Sequence, residues 1–502
     1  MLFPCQDSLS VSSSTLQKYL GPAAIVMAAA SITGCGGSVP THGTTQPPGN
    51  TAVTILLSAT ANDRLTQYEL NFQDLTLTNK SGNTVSLLTT AQNTAGLHTP
   101  EFVHLNANAS TLLTANVPDD TYTSATLTVG GALITCISVN TQDQSLTTSD
   151  FAYGATPQDQ VTVTLPEPIV VSGNAMNLSM QLDMAKSYTL DACAGGSVFD
   201  AYTITPTFNL TVADLTSPPT NYQNGRETDV LGQVSAATSS GFTVTIGYHQ
   251  GPSTPLPTQN VAVNAATVYQ GVSGLSELTA GTFVDMDLGA QADGSLLATR
   301  VAVQDSQAVD TLAGPLLQVT ASIPAVYFYG GQPQGPDLIG GSIYYDISQA
   351  SFHISGAYTN VASLPFTPSF TAANLVPGQN IYMTTPKYSN AGVNRYPLAG
   401  TVTLMPQTVD GMVTSVASSG EFNVYTITLA PYDLFVDMAG QPGATNLIAQ
   451  PSQVVVYTDS SASLAGVTEP AAGTTYRFHG LVFNDGSVLR MDCDEIADGV
   501  AQ

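Results

Sequence analysis

The sequence predicts an all-β chain of several small domains, on three observations. Only 9% of the 502 residues are charged and 43% are hydrophobic. Exposed faces of solenoid and coiled-coil helices need Glu, Lys and Arg, so both architectures are excluded. Thr, Val, Tyr and Ile alternate with polar residues in short runs such as Tyr122–Val129, Phe242–Ile246 and Asn423–Leu429, the period-2 pattern of half-buried strands. Gly, Pro, Asn or Asp punctuate these runs about every ten residues, as in antiparallel sheets closed into sandwiches or small barrels. By length alone the chain suits about three domains. Ten basic against 36 acidic side chains leave a net charge of −26, a field that repels phosphate backbones and excludes nucleic acid as a partner.

The first element is an export signal over residues 1–35. Tyr19–Ile32 is an apolar run behind Lys18 that ends in small residues, too short to span a bilayer and suited to a signal peptide. Ile32-Thr33-Gly34-Cys35 resembles the bacterial lipobox, which implies a diacylated Cys35 at the mature N-terminus, and two acyl chains anchor stably where one does not. An ordinary signal cut nearby, with Cys35 an incidental thiol, is the alternative. The stretch before Lys18 is long and carries Cys5 and Asp7, and a translation start near Leu16 would leave a conventional Lys-bearing leader. Residues 36–50, rich in Gly, Ser, Thr and Pro, form a tether too polar to pack. No other segment reaches 18 apolar residues, so the remainder is expected outside the bilayer, exported and lipid-anchored to the bacterial cell envelope, at the outer membrane or cell surface. Gly36 after Cys35 is compatible, by resemblance, with sorting to an outer membrane.

Residues 51–215 form the next unit. In order, Val53–Ser58, Tyr68–Leu77, Val117–Val129, Asn177–Ser187 and Tyr202–Phe208 resemble the domain of unknown function 4382 of bacterial envelope lipoproteins. The resemblance implies a transthyretin-like β-sandwich and supplies no catalytic residues. Cys136 and Cys193 could form a disulfide closing a loop of 57 residues, stabilising by about 4 kcal/mol in the chain-entropy model; two buried free thiols are the alternative. The insertion carrying Cys136 and the Asp191-Ala-Cys193 segment depart from the family, so a family-wide bridge does not follow.

After a linker, 216–229, an internal repeat begins. Val234–Val244 corresponds to Val413–Val424, Ala280-Gly281-Thr282 to Ala472-Gly473-Thr474, and Asp293-Gly294-Ser295 to Asp485-Gly486-Ser487. Asp-Gly flanked by alternating hydrophobics marks a tight β-hairpin. Pro377-Gly378 followed by Asn390-Ala-Gly392 suggests a third, diverged copy. The expected small antiparallel barrels span 230–308, 309–407 and 408–500. Leu231–Val234, Val261–Tyr269, Leu278–Val284 and Ala292–Val301 resemble the domain of unknown function 5666, whose pattern suits a five- or six-stranded barrel similar to an oligonucleotide-binding fold. Barrel shape does not itself carry function.

Motifs for chemistry are sparse. The sequence has no C-x-x-C, no H-E-x-x-H and no P-loop, and Gly271-Val-Ser273-Gly274-Leu275 lacks the second Gly of a nucleophile elbow. No catalytic residue, metal ligand or cofactor is therefore assigned. His98, Glu101 and His104 are better read as loop residues, since Pro100 disfavours a helix and Glu101 would face away on a strand. Asp285 and Asp287 share one strand face, and Asp492, Asp494 and Glu495 flank Cys493. Such acids could hold a hard cation but usually form a wet face, and they disfavour the Cys493 thiolate. Tyr327, Tyr329, Tyr344 and Tyr345 lie in two Gly-bordered strands whose consecutive rings point to both faces, so one ring of each group should face outward, available to a glycan or protein strand or else covering a barrel end. The reading is a non-enzymatic, membrane-anchored surface lipoprotein serving as an envelope structural, adhesion or assembly component. Its partners would be the membrane, through lipid, and an envelope protein or glycan. The alternative is a ligand- or polysaccharide-binding accessory protein using the tyrosines of residues 325–346.

Overall fold

The computed structural model describes residues 49–60, 65–88, 100–106, 108–139, 146–153, 159–190, 202–215, 222–246, 258–303, 308–319, 325–330, 341–358, 360–386, 396–431, 433–439 and 450–497. Cys35, Cys193, His98 and Asn390–Gly392 lie outside them. Pro48–Gln502 forms one compact unit, and it is all-β.

The first sheet contains β1 (Asn50–Ala59), β2 (Leu65–Asn79), β3 (Thr84–Ser86), β4 (Ser110–Pro118), β5 (Asp120–Val139), β6 (Leu146–Tyr153), β7 (Asp159–Thr164), β8 (Ile169–Val171), β9 (Ala175–Leu182) and β12 (Phe208–Val212), while β10 (Tyr188–Leu190) pairs with β11 (Tyr202–Ile204). Ten strands twisted into one sheet curl until their inner faces meet. Accordingly one apolar core draws on Ile55, Phe72, Leu127, Leu178 and Phe208 together, which makes the unit sandwich-like. Phe72, Phe102 and Phe208 meet edge-on or tilted at centroid distances of 5.7–6.0 Å, the arrangement that ring quadrupoles favour. The Val117–Val129 segment is the turn from β4 into β5, two strands that pair with β1 and β2 and not with each other. Tyr122 is buried there and its hydroxyl donates to the Pro118 carbonyl at 3.0 Å, so the ring fills the core while the hydroxyl ties down the turn.

Three six-stranded sheets follow with one strand order. The first holds β13 (Arg226–Ala237), β14 (Gly241–Ile246), β15 (Thr258–Ala262), β16 (Val268–Gln270), β17 (Phe283–Ala290) and β18 (Leu296–Val303), in the order β15-β14-β13-β17-β18-β16. The second holds β19 (Ala308–Val319), β20 (Ala325–Gly330), β21 (Gly341–Asp346), β22 (Ser351–Ile354), β23 (Asn380–Pro386) and β24 (Thr401–Leu404). The third holds β25 (Gln407–Ser419), β26 (Phe422–Leu429), β27 (Gln453–Thr458), β28 (Ser463–Ala465), β29 (Thr475–Asn484) and β30 (Leu489–Ala497). Parallel β15–β18 and β27–β30 pairs close the first and third into barrels, and a parallel Asp346–Leu398 bridge closes the second. Closure is therefore parallel, in barrels whose consecutive strands otherwise pair antiparallel as expected. The reason is parity: five strands in a ring cannot all alternate in direction, so one neighbouring pair must run parallel.

The repeat is visible in single hydrogen bonds. The amides of Gly281, Gly378 and Gly473, all at positive φ, donate to the carbonyls of Val234, Leu316 and Val413 at 2.8 Å in each sheet. Both Asp-Gly turns form as read: Asp293 Oδ1 accepts from the Ser295 amide at 3.0 Å and Asp485 Oδ1 from the Ser487 amide at 2.9 Å.

The barrels lock onto one another. Leu481 and Phe483, pointing outward from β29, join the core of the second barrel, and Leu231 of the first packs on Ala313, Tyr382 and Met405 of the second. Leu56 of the sandwich joins the core of the first barrel, and Asn106 of the sandwich donates to Thr408 of the third.

Candidate functional site

Titratable side chains gather where the three barrels meet. Asp287 and Arg300 stand opposite one another in the β17–β18 ladder, with Asp285 two residues along the same face. A register shift in β13 between Glu227 and Val230 inserts Asp229, whose φ of 50° makes it the one non-glycine residue at positive φ among the described residues. Bulges of this kind re-aim a side chain. Asn108 of the sandwich pins this one, donating to the Thr228 carbonyl and accepting the Thr228 amide, both at 2.8 Å. Asp229 thereby faces Arg300.

The guanidinium is caged by carboxylates. Arg300 Nε and Nη2 meet Asp287 at 2.9 Å, Nη1 and Nη2 meet Asp285 at 3.0 Å, and Nη2 meets Asp229 at 3.3 Å. The Arg300 side chain is 6% exposed. Carboxylate oxygens of the three aspartates lie within 4.8 Å of one another, close enough for a cation, and the cation there is the arginine itself. Asp285 and Asp287 are thus a buried face, not the wet one that alternating acids suggest. Burial pushes the Asp229 carboxyl up to about 8, reinforced by Asp285 and opposed by Arg300, and burial also raises Asp285 against the pull of Arg300.

The corresponding cross-strand position recurs in each barrel with other chemistry. In the second it holds Thr384 and Thr401, whose hydroxyls lie 2.8 Å apart. In the third it holds His479 and Glu495, a basic and an acidic residue in exchanged order. His479 Nδ1 lies 2.7 Å from Asp494 Oδ1, and the Tyr358 hydroxyl donates to Asp494 Oδ2 at 2.9 Å. Burial works against charge at His479, where it is outweighed by Asp494 and Glu495, which raise the imidazole. At half-exposed Asp494 the partial loss of water is outweighed by His479, Tyr358 and Arg226, which lower the carboxyl. Glu495 and Asp492, buried beside them, are pushed up to about 7, chiefly by loss of water.

One segment touches both centres. Ser355–Tyr358 leaves β22 of the second barrel; Ser355 Oγ donates to Asp229 Oδ1 at 2.6 Å, Ala357 accepts from Arg226 at 3.5 Å, and Tyr358 holds Asp494. Gly356 lies against Arg300 Nη1 and Gln270 so closely that a Cβ would stand 2.9 Å and 3.0 Å from them.

Other residues singled out from sequence fall elsewhere. Tyr345 is 2% exposed in the second barrel's core, which removes it from any binding face. Tyr344 points the other way: its ring packs on Tyr396 at 5.3 Å and its hydroxyl donates to Gln318 at 3.0 Å. Tyr327 and Tyr329 lie on β20, opposite Tyr344 and Ser342 of β21; the described residues do not include their side chains. Cys136 sits on β5 between Leu65 and Ser149, and its proposed partner Cys193 lies outside the described residues. Glu101 is buried and accepts the amides of Tyr68 and Val103 at 2.9 Å, a backbone-capping role. Buried Cys493 donates to the Glu495 carbonyl at 3.1 Å, and burial pushes its thiol well up.

The sequence reading missed Arg300, Asp229, His479, Ser355 and Tyr358. One signal was present: in a chain with ten basic residues, an arginine inside the apolar run Leu296–Val303 needs buried carboxylates.

Residues 232–302 match a family described as Domain of unknown function (DUF5666). The match takes in Asp285, Asp287 and Arg300 and stops short of Asp229. No curated protein matches the chain. The DUF5666 barrel therefore carries the caged arginine, while the bulged aspartate and the strap that contacts it come from outside the matched stretch.

Proposed function

We propose that the protein is a non-enzymatic surface lipoprotein, anchored through Cys35, that serves as an envelope structural, adhesion or assembly component. One observation supports this reading above others: the densest set of shifted titratable groups, usually the mark of an active site, is engaged in bonds within and between barrels. Within the first barrel Arg300 donates five hydrogen bonds to three aspartates, and from the second barrel Ser355 donates to one of them, Asp229, and Tyr358 to Asp494 of the third. A rigid multi-barrel body behind a polar tether suits a spacer or display role. We further assign the sandwich-like unit to the domain of unknown function 4382 type, supported by the Tyr122 turn that leads from β4 into β5. Metabolic labelling with a fatty acid tests the anchor: the parent chain should carry label in the membrane fraction, and Cys35→Ala should lose the label and appear in the medium. An unlabelled, freely released parent would overturn the placement.

A second reading, a glycan-binding accessory role, is favoured by the half-buried Tyr344–Tyr396 pair, whose rings lie tilted with centroids 5.3 Å apart, since aromatic faces stack on sugar rings. On a glycan array the parent should retain a subset of glycans that Tyr344→Ala/Tyr396→Ala loses by at least about tenfold. Equal binding by both, or none by either, removes this reading.

A further inference from the structure

Leu489, Met491 and Cys493 of β30 belong to the core of the third barrel, so Arg490, Asp492 and Asp494 are turned to its outer face. Two of these three have partners there. Arg490 donates to Asp485 and to the Tyr457 hydroxyl and lies over the Phe366 ring, while Asp494 lies against His479 and accepts from Tyr358. Asp492 is 2% exposed, and its Oδ2 is buried with no hydrogen-bond partner among the described residues. Its register partners do not neutralise it: Leu481 is apolar, and the Tyr457 hydroxyl is taken up by Arg490.

The fold does not require an acid at this place. Arg300, Thr401 and Glu495 are the points at which β16, β22 and β28 begin their parallel pairing, and three residues before each stand Leu297, Leu398 and Asp492. All three take part in the parallel contact that closes their barrel. Two barrels therefore put leucine where the third puts a carboxylate, and a buried carboxylate is costly unless something compensates it. In the first barrel the buried aspartates have Arg300. Asp492 has no such cation among the described residues, because Arg490 and His479 are committed elsewhere.

Acids flank Asp492 on both sides. Asp494 is its neighbour along the face, and Asp459 lies two residues beyond Tyr457, across the β27–β30 pair. Both repel its charge and add to burial, the larger effect, in pushing its carboxyl up to about 7. The segment that follows β22 crosses this surface: Tyr358 donates to Asp494 at 2.9 Å, Asn360 donates to Asp459 at 2.8 Å, and Phe366 packs on Tyr457 at 5.1 Å. Donors thus reach both outer acids and none reaches the one between them.

We propose that Asp492 anchors a divalent-cation site of the hard, oxygen-ligated calcium type between the second and third barrels, with Asp459 and Asp494 supplying charge on either side. The charge count selects a divalent ion. A charged His479 balances Asp494, which leaves two negative charges, on Asp492 and on Asp459, whose donors Asn360 and Ser461 are neutral. Among the described residues only the aspartates around Arg300 bring three carboxylate oxygens within 4.8 Å of one another. The ion therefore bonds Asp492 Oδ2 directly and meets the flanking acids through its own waters, as calcium does in irregular sites that retain part of its hydration. The site does not depend on the surface role proposed above.

Terbium luminescence on the full chain tests this, because Tyr358 and Tyr457 border the site as sensitisers and the chain has no Trp. Tyrosine-sensitised terbium emission should saturate and be displaced by calcium at about 0.1–1 mM, the range of extracellular calcium modules. Asp492→Asn and Asp492→Leu should each weaken calcium competition by at least about tenfold, while Asp293→Asn, which removes an exposed acid of the first barrel, should leave it within about twofold. The leucine variant carries the side chain that two barrels already hold at this place, so it keeps the test decisive where the asparagine variant fails to fold. Emission that calcium does not displace overturns the site. So does equal calcium competition in the parent and a folded Asp492 variant, or an equal loss in Asp293→Asn.

Discussion

Arg477 and Asp410 face each other from β29 and β25 on the buried outer face of the third barrel, opposite the face that Val409, Tyr476 and Phe478 turn to its core. Their Nε and Oδ1 are 3.4 Å apart and their side chains 4% and 0% exposed. The corresponding pair is Asp285 and Leu231 in the first barrel and Tyr382 and Ala313 in the second, so the fold does not require an ion pair there. Replacing a buried pair by apolar groups is often neutral, whereas removing one partner leaves a charge without compensation. Arg477→Met should therefore cost about 3–5 kcal/mol, and Asp410→Leu/Arg477→Met should recover most of that. Denaturant midpoints of the third-barrel transition check both values. A loss below about 1 kcal/mol in the single variant would show that the pair adds nothing.

At the scale of elements, strand positions and hairpin turns were legible because alternation and Asp-Gly turns act over neighbouring residues. Tyr122–Val129 and Asn423–Leu429 fall within β5 and β26, and the diverged copy marked by Pro377-Gly378 and Asn390-Ala-Gly392 does adopt the same strand order. What was not legible depends on contacts made between elements. Asp285 and Asp287 read as a solvent face because their partner, Arg300, is 13 residues from Asp287 and Asp229 enters only through a bulge. Tyr344 and Tyr345 alternate as the pleat requires, and the sheet's curl, absent from local pattern, decided which ring was buried. His479 and Glu495 stand at register 16 residues apart, a separation that no short motif captures.

On the scale of the whole molecule, the sandwich is held to the first barrel by the β17–β18 turn, and the repeat contains its own control. Gly294 and Gly486 occupy the same Asp-Gly-Ser turn at φ of 81° and 88°. A Cβ on Gly294 would overlap Thr54 Oγ1 and stand 2.7 Å from Thr114 Oγ1, whereas one on Gly486 would have nothing within 4 Å. The two threonine hydroxyls lie 2.8 Å apart across β1 and β4, so neither yields without breaking their contact. Asn177 donates to the Gln291 carbonyl at 3.2 Å on the same turn, and Thr111 donates to buried Glu227 at 3.0 Å nearby. Alanine at either glycine bears the left-handed backbone penalty of about 1–2 kcal/mol. Only Gly294→Ala also forces the turn off the sandwich, an overpacking cost of about 1–3 kcal/mol. Gly294→Ala should accordingly lower the thermal midpoint more than Gly486→Ala and separate unfolding of the sandwich from that of the barrels. Calorimetry of both variants decides it. Equal shifts, with the parent's transitions unsplit in each, would mean that the turn lies against the sandwich without holding it.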